Sequence, residues 1–341
     1  MYKVGGLFSG VGGIEKAFED SGFEIKWSIE NDSNACKTYR ENFPNHNLIE
    51  KDVWWLCGNN FKNAKGEFKL DKVDILVAGF PCQAFSVAGY RKGFGDERGN
   101  LFFAIEDFIK KLKPKAILLE NVKNLHGHDK GKTFKRIYDG LDALGYSVIH
   151  KVLNTAKYTD IPQNRERIFI IGFRNESDWN NGPLIRRLSK CKKSSLFSWP
   201  NEVKKTKSVT DLFEEGPLDQ LYYYDKKFYK WKELINGMDS EDTLYQWRRI
   251  YPRKNMSNHC PTLTANMGTG GHNVPLILVS KSKEIVRKLT PKECFRFQGF
   301  NNIKLPSDVA RSQLYKQAGN SVTVKLVEKI AKNIKQCLDN N

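Results

Sequence analysis

Pro81-Cys82-Gln83 closes an apolar run, Asp74-Ile-Leu-Val-Ala-Gly-Phe80, and opens a stretch studded with glycine as far as Gly99. A cysteine carried by a strand end into a polar loop is set to react rather than to pack. A second apolar run, Ala116-Ile-Leu-Leu119, ends in Glu120-Asn121-Val122. Gln163-Asn-Arg165-Glu-Arg167 precedes a third, Ile168-Phe-Ile-Ile-Gly172. One thiol, one carboxyl and two guanidiniums, each beside the end of its own strand, are expected to share one pocket. Such a set can supply a nucleophile, a proton donor and holders for a developing anion.

A second set points to a ligand. Phe8-Ser-Gly10-Val-Gly12-Gly13 follows the first predicted strand and opens the first helix, where glycine lets the backbone approach a bound group. Glu30 stands 20 residues after Gly10, at the end of the second strand, where a carboxylate can meet ribose hydroxyls. A dinucleotide motif would place a third glycine at position 15, but Glu15 stands there and would repel a pyrophosphate. An adenosine ligand without phosphates suits the turn better, and S-adenosylmethionine fits that description.

The elements that must position these residues alternate through the first half. Strands are predicted at Lys3 to Phe8, Phe23 to Ile29, 74–79, 116–119, 147–152 and 168–173. Helices are predicted at Ile14 to Ser21, Asn34 to Phe43, 101–112 and 133–144. Such βα alternation implies an α/β, doubly wound, mostly parallel sheet with ligands at the C-terminal strand edge. After Arg174 the texture changes to Lys, Arg, Tyr and Trp without sustained period, as in Tyr222-Tyr-Tyr-Asp-Lys-Lys-Phe-Tyr-Lys-Trp231. That composition predicts a smaller, irregular, β-rich region with the aromatic run in its core. Thr290-Pro-Lys-Glu293 reads as a capping box, and apolar positions 327, 330, 331, 334 and 338 draw a C-terminal amphipathic helix.

At 341 residues, one large domain and a smaller one are expected. No apolar run reaches bilayer length and the N-terminus lacks a secretory layout, so a soluble, cytoplasmic protein is expected. Seven cysteines without a C-x-x-C pair indicate neither a disulfide framework nor a metal site. A net charge of +17 favours a polyanionic partner.

These blocks resemble a known family. Phe8-Ser-Gly-Val-Gly-Gly13, Glu30-Asn31, Asp52-Val53, Gly79-Phe-Pro-Cys-Gln83, Glu120-Asn-Val122, Gln163-Asn-Arg-Glu-Arg167, Pro261-Thr-Leu-Thr264 and Gly319-Asn-Ser-Val322 stand in its order. The family is that of DNA cytosine-5 methyltransferases of the bacterial restriction-modification type. The resemblance spans nearly the whole chain except 175–258, where members differ most, and no catalytic position departs from the pattern. It implies an S-adenosylmethionine-dependent methyltransferase fold in 1–174, completed by 311–341, and a target-recognition domain in 175–310.

The resemblance also implies roles. Phe8 and Gly10 to Gly12 would lie near the amino-acid portion and adenine, Glu30 at the ribose hydroxyls and Asp52 at the adenine amino group, with Asn31 and Val53 also in the cofactor site. Pro81, Leu101, Asn320, Ser321 and Val322 would complete that pocket. Cytosine C5 is a poor nucleophile until a thiolate adds at C6, which makes Cys82 the expected nucleophile. Glu120 would hold a proton at N3, and Arg165 or Arg167 would hold O2 and position Glu120, the other supporting the loop or touching phosphate. The target base must leave the duplex, and the glycines of 84–100 suit a loop that closes over it. Ser86 and Arg98 are then expected at the DNA backbone, and Arg248, Arg249, Arg253 and Thr264 as base readers.

The expected partner is double-stranded DNA, met by a monomer at the bacterial nucleoid, with a cognate restriction endonuclease acting on the same site. Two other readings remain open: a tRNA cytosine-5 methyltransferase and a non-catalytic DNA-binding relative. Methyl incorporation into plasmid against bulk tRNA separates the first, and a Cys82→Ala variant the second.

Overall fold

Five parallel strands carry the site-bearing half of the molecule. They are β1 (Lys3–Leu7), β2 (Glu24–Glu30), β3 (Leu48–Glu50), β4 (Ile75–Gly79) and β5 (Ala116–Val122), joined edgewise by β6 (Tyr146–Asn154) and β8 (Glu166–Arg174). The short β7 (Gln163–Asn164) lies apart from this sheet. The order is β3-β2-β1-β4-β5-β8-β6, parallel from β3 through β5, while β8 runs antiparallel to β5. The chain winds outward from β1 through β2 to β3, then returns to place β4 on the other side of β1. That switch point puts the ends of β1 and β4 side by side, with Leu7 opposite Ala78.

The structure is a computed structural model that describes residues 1–61, 70–81, 101–175, 197–204, 207–269 and 273–340, and the backbone of 185–189 and 192–195. Cys82, Ser86, Arg98 and the glycines of 84–100 lie outside the described residues. The chain divides into two units. One takes Met1–Leu153, Glu166–Pro200 and Val327–Asn341, and the other takes Asn154–Arg165 and Asn201–Leu326.

In the first unit the helices α1 (Gly13–Glu19), α2 (Ser33–Asn42), α3 (Val53–Gly58), α4 (Leu101–Leu112) and α5 (Lys132–Ala143) follow the strands. Asp32 caps α2, its carboxylate accepting from Asn34 N and Ala35 N, a contact type that contributes about 1 kcal/mol. The uninterrupted apolar run of β4 is a strand buried on both faces. Leu76 and Ala78 meet Ile105 and Phe108 of α4 in one cluster with Leu7, Trp27, Ile117 and Leu119. The strand β6 leads into the short α6 (Thr155–Tyr158), which belongs to the second unit, and the first unit's backbone strands β9 (Ile185–Ser189) and β10 (Lys192–Ser195) pair antiparallel.

The second unit is irregular, as its composition implied, but mixed rather than β-rich: one small antiparallel sheet sits among short helices. After α7 (Trp231–Asn236), the strands β11 (Leu244–Arg248), β12 (Tyr251–Lys254), β14 (Leu276–Ser280) and β15 (Ile285–Lys288) form an antiparallel sheet in the order β12-β11-β14-β15. The two-residue β13 (Cys260–Pro261) pairs with β7. Tyr224, Phe228 and Trp231, half of the aromatic run, pack partly buried on Leu234, Met238, Tyr245 and Val286, whereas Tyr229 is exposed. The helices α8 (Pro291–Arg296) and α9 (Arg311–Asn320) follow, and α10 (Val324–Asp339) belongs to the first unit from Val327 onward. Thr290 and Glu293 form the expected capping box, and Glu293 also makes a buried two-pronged pair with Arg287. Val327, Ile330, Ala331, Ile334 and Leu338 are the buried stripe of α10. No helix among the described residues is long and apolar enough to cross a membrane.

Candidate active site

The parallel strands β4 and β5 end at one edge, and antiparallel β8 begins there. Glu120 lies opposite Gly79 on β4 and opposite Phe169 on β8. Its Oε1 forms an ion pair with Arg167 Nε at 3.0 Å, and both side chains are largely buried. Its Oε2 lies 3.6 Å from where a Cβ on Gly79 would stand, three residues before Cys82. Asn121, the next residue of β5, is buried. Its Nδ2 donates to Phe80 O at 2.9 Å, and its Oδ1 accepts from Val122 N at 2.7 Å. A buried amide thus ties the backbone just before Pro81 to β5 and fixes where the Cys82 segment begins.

The two arginines part company. Arg167 stands on β8 and reaches Glu120, whereas Arg165 precedes the strand and is 1% exposed. Arg165 Nη1 donates to Leu263 O at 2.7 Å, and Nη2 to Ser321 O at 2.5 Å and Gly319 O at 3.2 Å. Its guanidinium therefore gathers the Pro261-Thr-Leu-Thr264 and Gly319-Asn-Ser-Val322 blocks within the second unit. These blocks touch closely, since a Cβ on Gly319 would fall 2.1 Å from the Thr264 carbonyl carbon. Asn320 and Thr264 are exposed there, while Ser321 and Val322 are buried.

The turn after β1 holds three left-handed residues, Phe8 at φ 55°, Gly10 at 55° and Gly12 at 85°. Phe8 is the unexpected one, because a Cβ in that region carries strain of about 1–3 kcal/mol that tends to gather at functional turns. Gly12 admits no side chain, for a Cβ would stand 2.6 Å from the Phe43 ring, whereas among the described residues nothing lies within 4 Å of a Cβ placed on Gly10. Glu30 spans the turn. Its Oε2 accepts from Gly10 N at 2.7 Å, and its Oε1 from Asn31 N and Asp32 N at 2.8 Å each. Oε2 keeps a second acceptor direction.

Asn31 Nδ2 donates to Asp52 Oδ2 at 3.2 Å, and Asp52 Oδ1 caps α3 by accepting from Trp54 N at 2.8 Å. Val53 is buried behind it, Leu101 opens α4 half-buried, and Pro81 is exposed. A fixed carboxylate, a second carboxylate one hydrogen bond away and open space beside Gly10 suit an adenosine ligand better than a phosphate.

The thiols among the described residues are poor nucleophiles. Burial pushes Cys36 and Cys57 up to about 12 and Cys337 up to about 11, and it raises Cys260 and Cys294 well above the ordinary range. Thiols held protonated in this way do not attack. Among the described residues no group of His, Cys, Asp and Glu could hold a metal ion. On the second unit, Arg248, Arg249 and Arg253 are exposed on and beside the β11–β12 hairpin.

Residues 2–336 match the family model for the C-5 cytosine-specific DNA methylase. The chain is 46% identical over 338 residues to the type II methyltransferase M.Bsp6I of Bacillus sp. strain RFL6, covering 98% of each. It is 36% identical over 349 residues to the type II methyltransferase M.SsoII of Shigella sonnei, covering 99% of this chain and 81% of that one. The fold is similar to that of a DNMT2 mutant from Spodoptera frugiperda, with a TM-score of 0.71 at 21% identity over 98% of this chain and 100% of the other. The likeness extends to S. pombe Dnmt2 methyltransferase, with a TM-score of 0.70 at 19% identity over 100% and 99%. The chain belongs to the C-5 cytosine-specific DNA methylase family and is a DNA (cytosine-5-)-methyltransferase.

Proposed function

We propose that this enzyme methylates C5 of a cytosine flipped out of a short specific duplex sequence, through a transient bond between Cys82 Sγ and C6. The carrying observation is the Glu120–Arg167 pair at the edge where β4 hands the chain to Cys82. The Cys82 thiolate adds to C6 and pushes electron density toward N3 and O2. Glu120 holds a proton at N3, and Arg167 fixes the carboxyl so that the proton points at the ring. Proton removal from C5 then lets the Sγ–C6 bond break and returns the thiolate. Arg165 instead shapes the second unit's backbone through the three carbonyls it binds.

Glu30 would hold the ribose hydroxyls, Asp52 with Asn31 the adenine, and the Phe8–Gly12 turn the amino-acid end of S-adenosylmethionine. When bound, that cofactor supplies an electrophilic methyl group. Glu30 arrives pre-oriented by three backbone N–H groups, so little ordering remains for binding.

Several relatives are named type II methyltransferases, which supports a role beside a restriction endonuclease of the same site, in the bacterial cytoplasm on nucleoid DNA. Ser86 and Arg98 would touch the DNA backbone, and the second unit would read sequence. Transfer of labelled methyl to plasmid DNA and bulk tRNA, followed by bisulfite sequencing, tests this. Label on a defined cytosine of plasmid is expected, and label on tRNA alone contradicts it.

A further inference from the structure

The β11–β12 hairpin carries charge that the chemistry at Glu120 leaves unused. Gln246 lies opposite Arg253, and Arg248 opposite Tyr251. Alternation sends Tyr245, Trp247 and Pro252 to one face, where Tyr245 and Pro252 are buried and Trp247 packs on the second unit's core. Gln246, Arg248, Tyr251 and Arg253 share the opposite face. Arg249 turns the hairpin in a left-handed conformation at φ 49°, leaving Ile250 61% and Tyr251 52% exposed. An apolar underside fixed to a core makes the outer face a firm platform.

On that face Gln246 Oε1 accepts from Arg248 Nη2 at 3.0 Å and from Arg253 Nη2 at 2.8 Å. Nearby Asp239 is taken by Lys254 Nζ at 2.8 Å. Among the described residues no carboxylate pairs with Arg248, Arg249 or Arg253. Two guanidiniums gathered on one neutral oxygen repel each other, and such an arrangement is relieved by acceptors brought from outside. Each spends a single N–H on Gln246 and keeps the rest of its fork. A planar fork matches guanine O6 and N7, the commonest specific contact in the major groove.

We infer that Gln246 is a positioning residue for sequence choice, its amide oxygen setting Arg248 and Arg253 side by side to meet guanine edges of the target duplex. This rests on the DNA methyl transfer proposed above. The recognised sequence then contains guanines whose reading depends on a residue that touches no base.

Gln246→Ala, Gln246→Glu, Arg248→Ala and Arg253→Ala are compared with wild type on a duplex library of varied sequence, read by bisulfite conversion. Cofactor affinity is measured separately by calorimetry. Gln246→Ala is expected to lose roughly tenfold to a hundredfold in kcat/KM at the preferred site, through KM, with relaxed choice at guanine positions and unchanged cofactor affinity. Gln246→Glu keeps the acceptor and hence the guanine preference, while its charge weakens DNA binding at every sequence. Wild-type guanine preference in Gln246→Ala overturns the inference. So does a loss equal at all sequences in the arginine variants, which marks phosphate contacts. Should the wild type label no DNA, the functional proposal itself fails and this inference falls with it.

Discussion

Replacing Glu15 with Gln turns a buried acid into a neutral side chain of the same shape. Glu15 is 1% exposed, and its Oε2 has no hydrogen-bond partner among the described residues. Its Oε1 occupies space that only Gly6 leaves free, since a Cβ there would stand 2.0 Å away. Burial pushes the carboxyl up to about 7, the Ser9 hydroxyl and the residue's own N–H offset part of this, and Glu30's charge adds to the rise. A rise from 4.5 to about 7 is worth about 3 kcal/mol of preference for the neutral form. Between those two values the unfolded chain has released the proton and the folded chain still holds it, so stability falls as pH rises across the window. The gain of Glu15→Gln over wild type should therefore be near zero below 4.5, grow through the window, and level off at about 3 kcal/mol above 7. Hydrogen bonding by the amide adds an offset that does not vary with pH. Urea unfolding of both proteins from about pH 5 to about pH 8 reads this difference directly, cancelling groups common to both. A difference that stays constant across that range refutes the burial argument.

Arg165→Met strips the donor from three main-chain carbonyls and should lower unfolding stability by at least about 3 kcal/mol, measured by urea titration. Arg167→Lys keeps the charge but loses the planar fork facing Glu120, so single-turnover methyl transfer should slow while cofactor affinity, read by calorimetry, holds. Asn121→Ala frees the Phe80 carbonyl and loosens the start of the Cys82 segment. Turnover should drop about tenfold, the equivalent of one lost buried hydrogen bond, with cofactor affinity unchanged.

Much of the site-bearing half was legible because its signals are local. The apolar run of β4, the glycine turn after β1 and the α10 stripe each follow from a few adjacent residues, and the structure has all three where they were expected. What is not local was hidden. Nothing within Glu166–Arg174 reveals that β8 runs antiparallel to β5, since direction is fixed by how the chain returns. Arg165 and Arg167 looked alike from their two-residue spacing, but Arg165 lies outside the strand, where alternation no longer governs direction. Glu15 read as an acid that would face a ligand, yet the helix turns it inward against Gly6. Asn121 carried one faint signal, an amide in an otherwise apolar strand end. Its partner, Phe80 O, depends on the β4–β5 register and could not be read from sequence.

The account depends most on sulfur adding to the pyrimidine ring. Duplex oligonucleotides bearing 5-fluorocytosine at the methylated position, incubated with enzyme and S-adenosylmethionine, block release after methyl transfer because fluorine cannot leave as a proton does. A denaturation-resistant complex whose peptide map places the nucleotide on Cys82, absent from Cys82→Ala, is the predicted result. Full methyl transfer to ordinary cytosine by Cys82→Ala, or no trapped complex with the wild type, contradicts it.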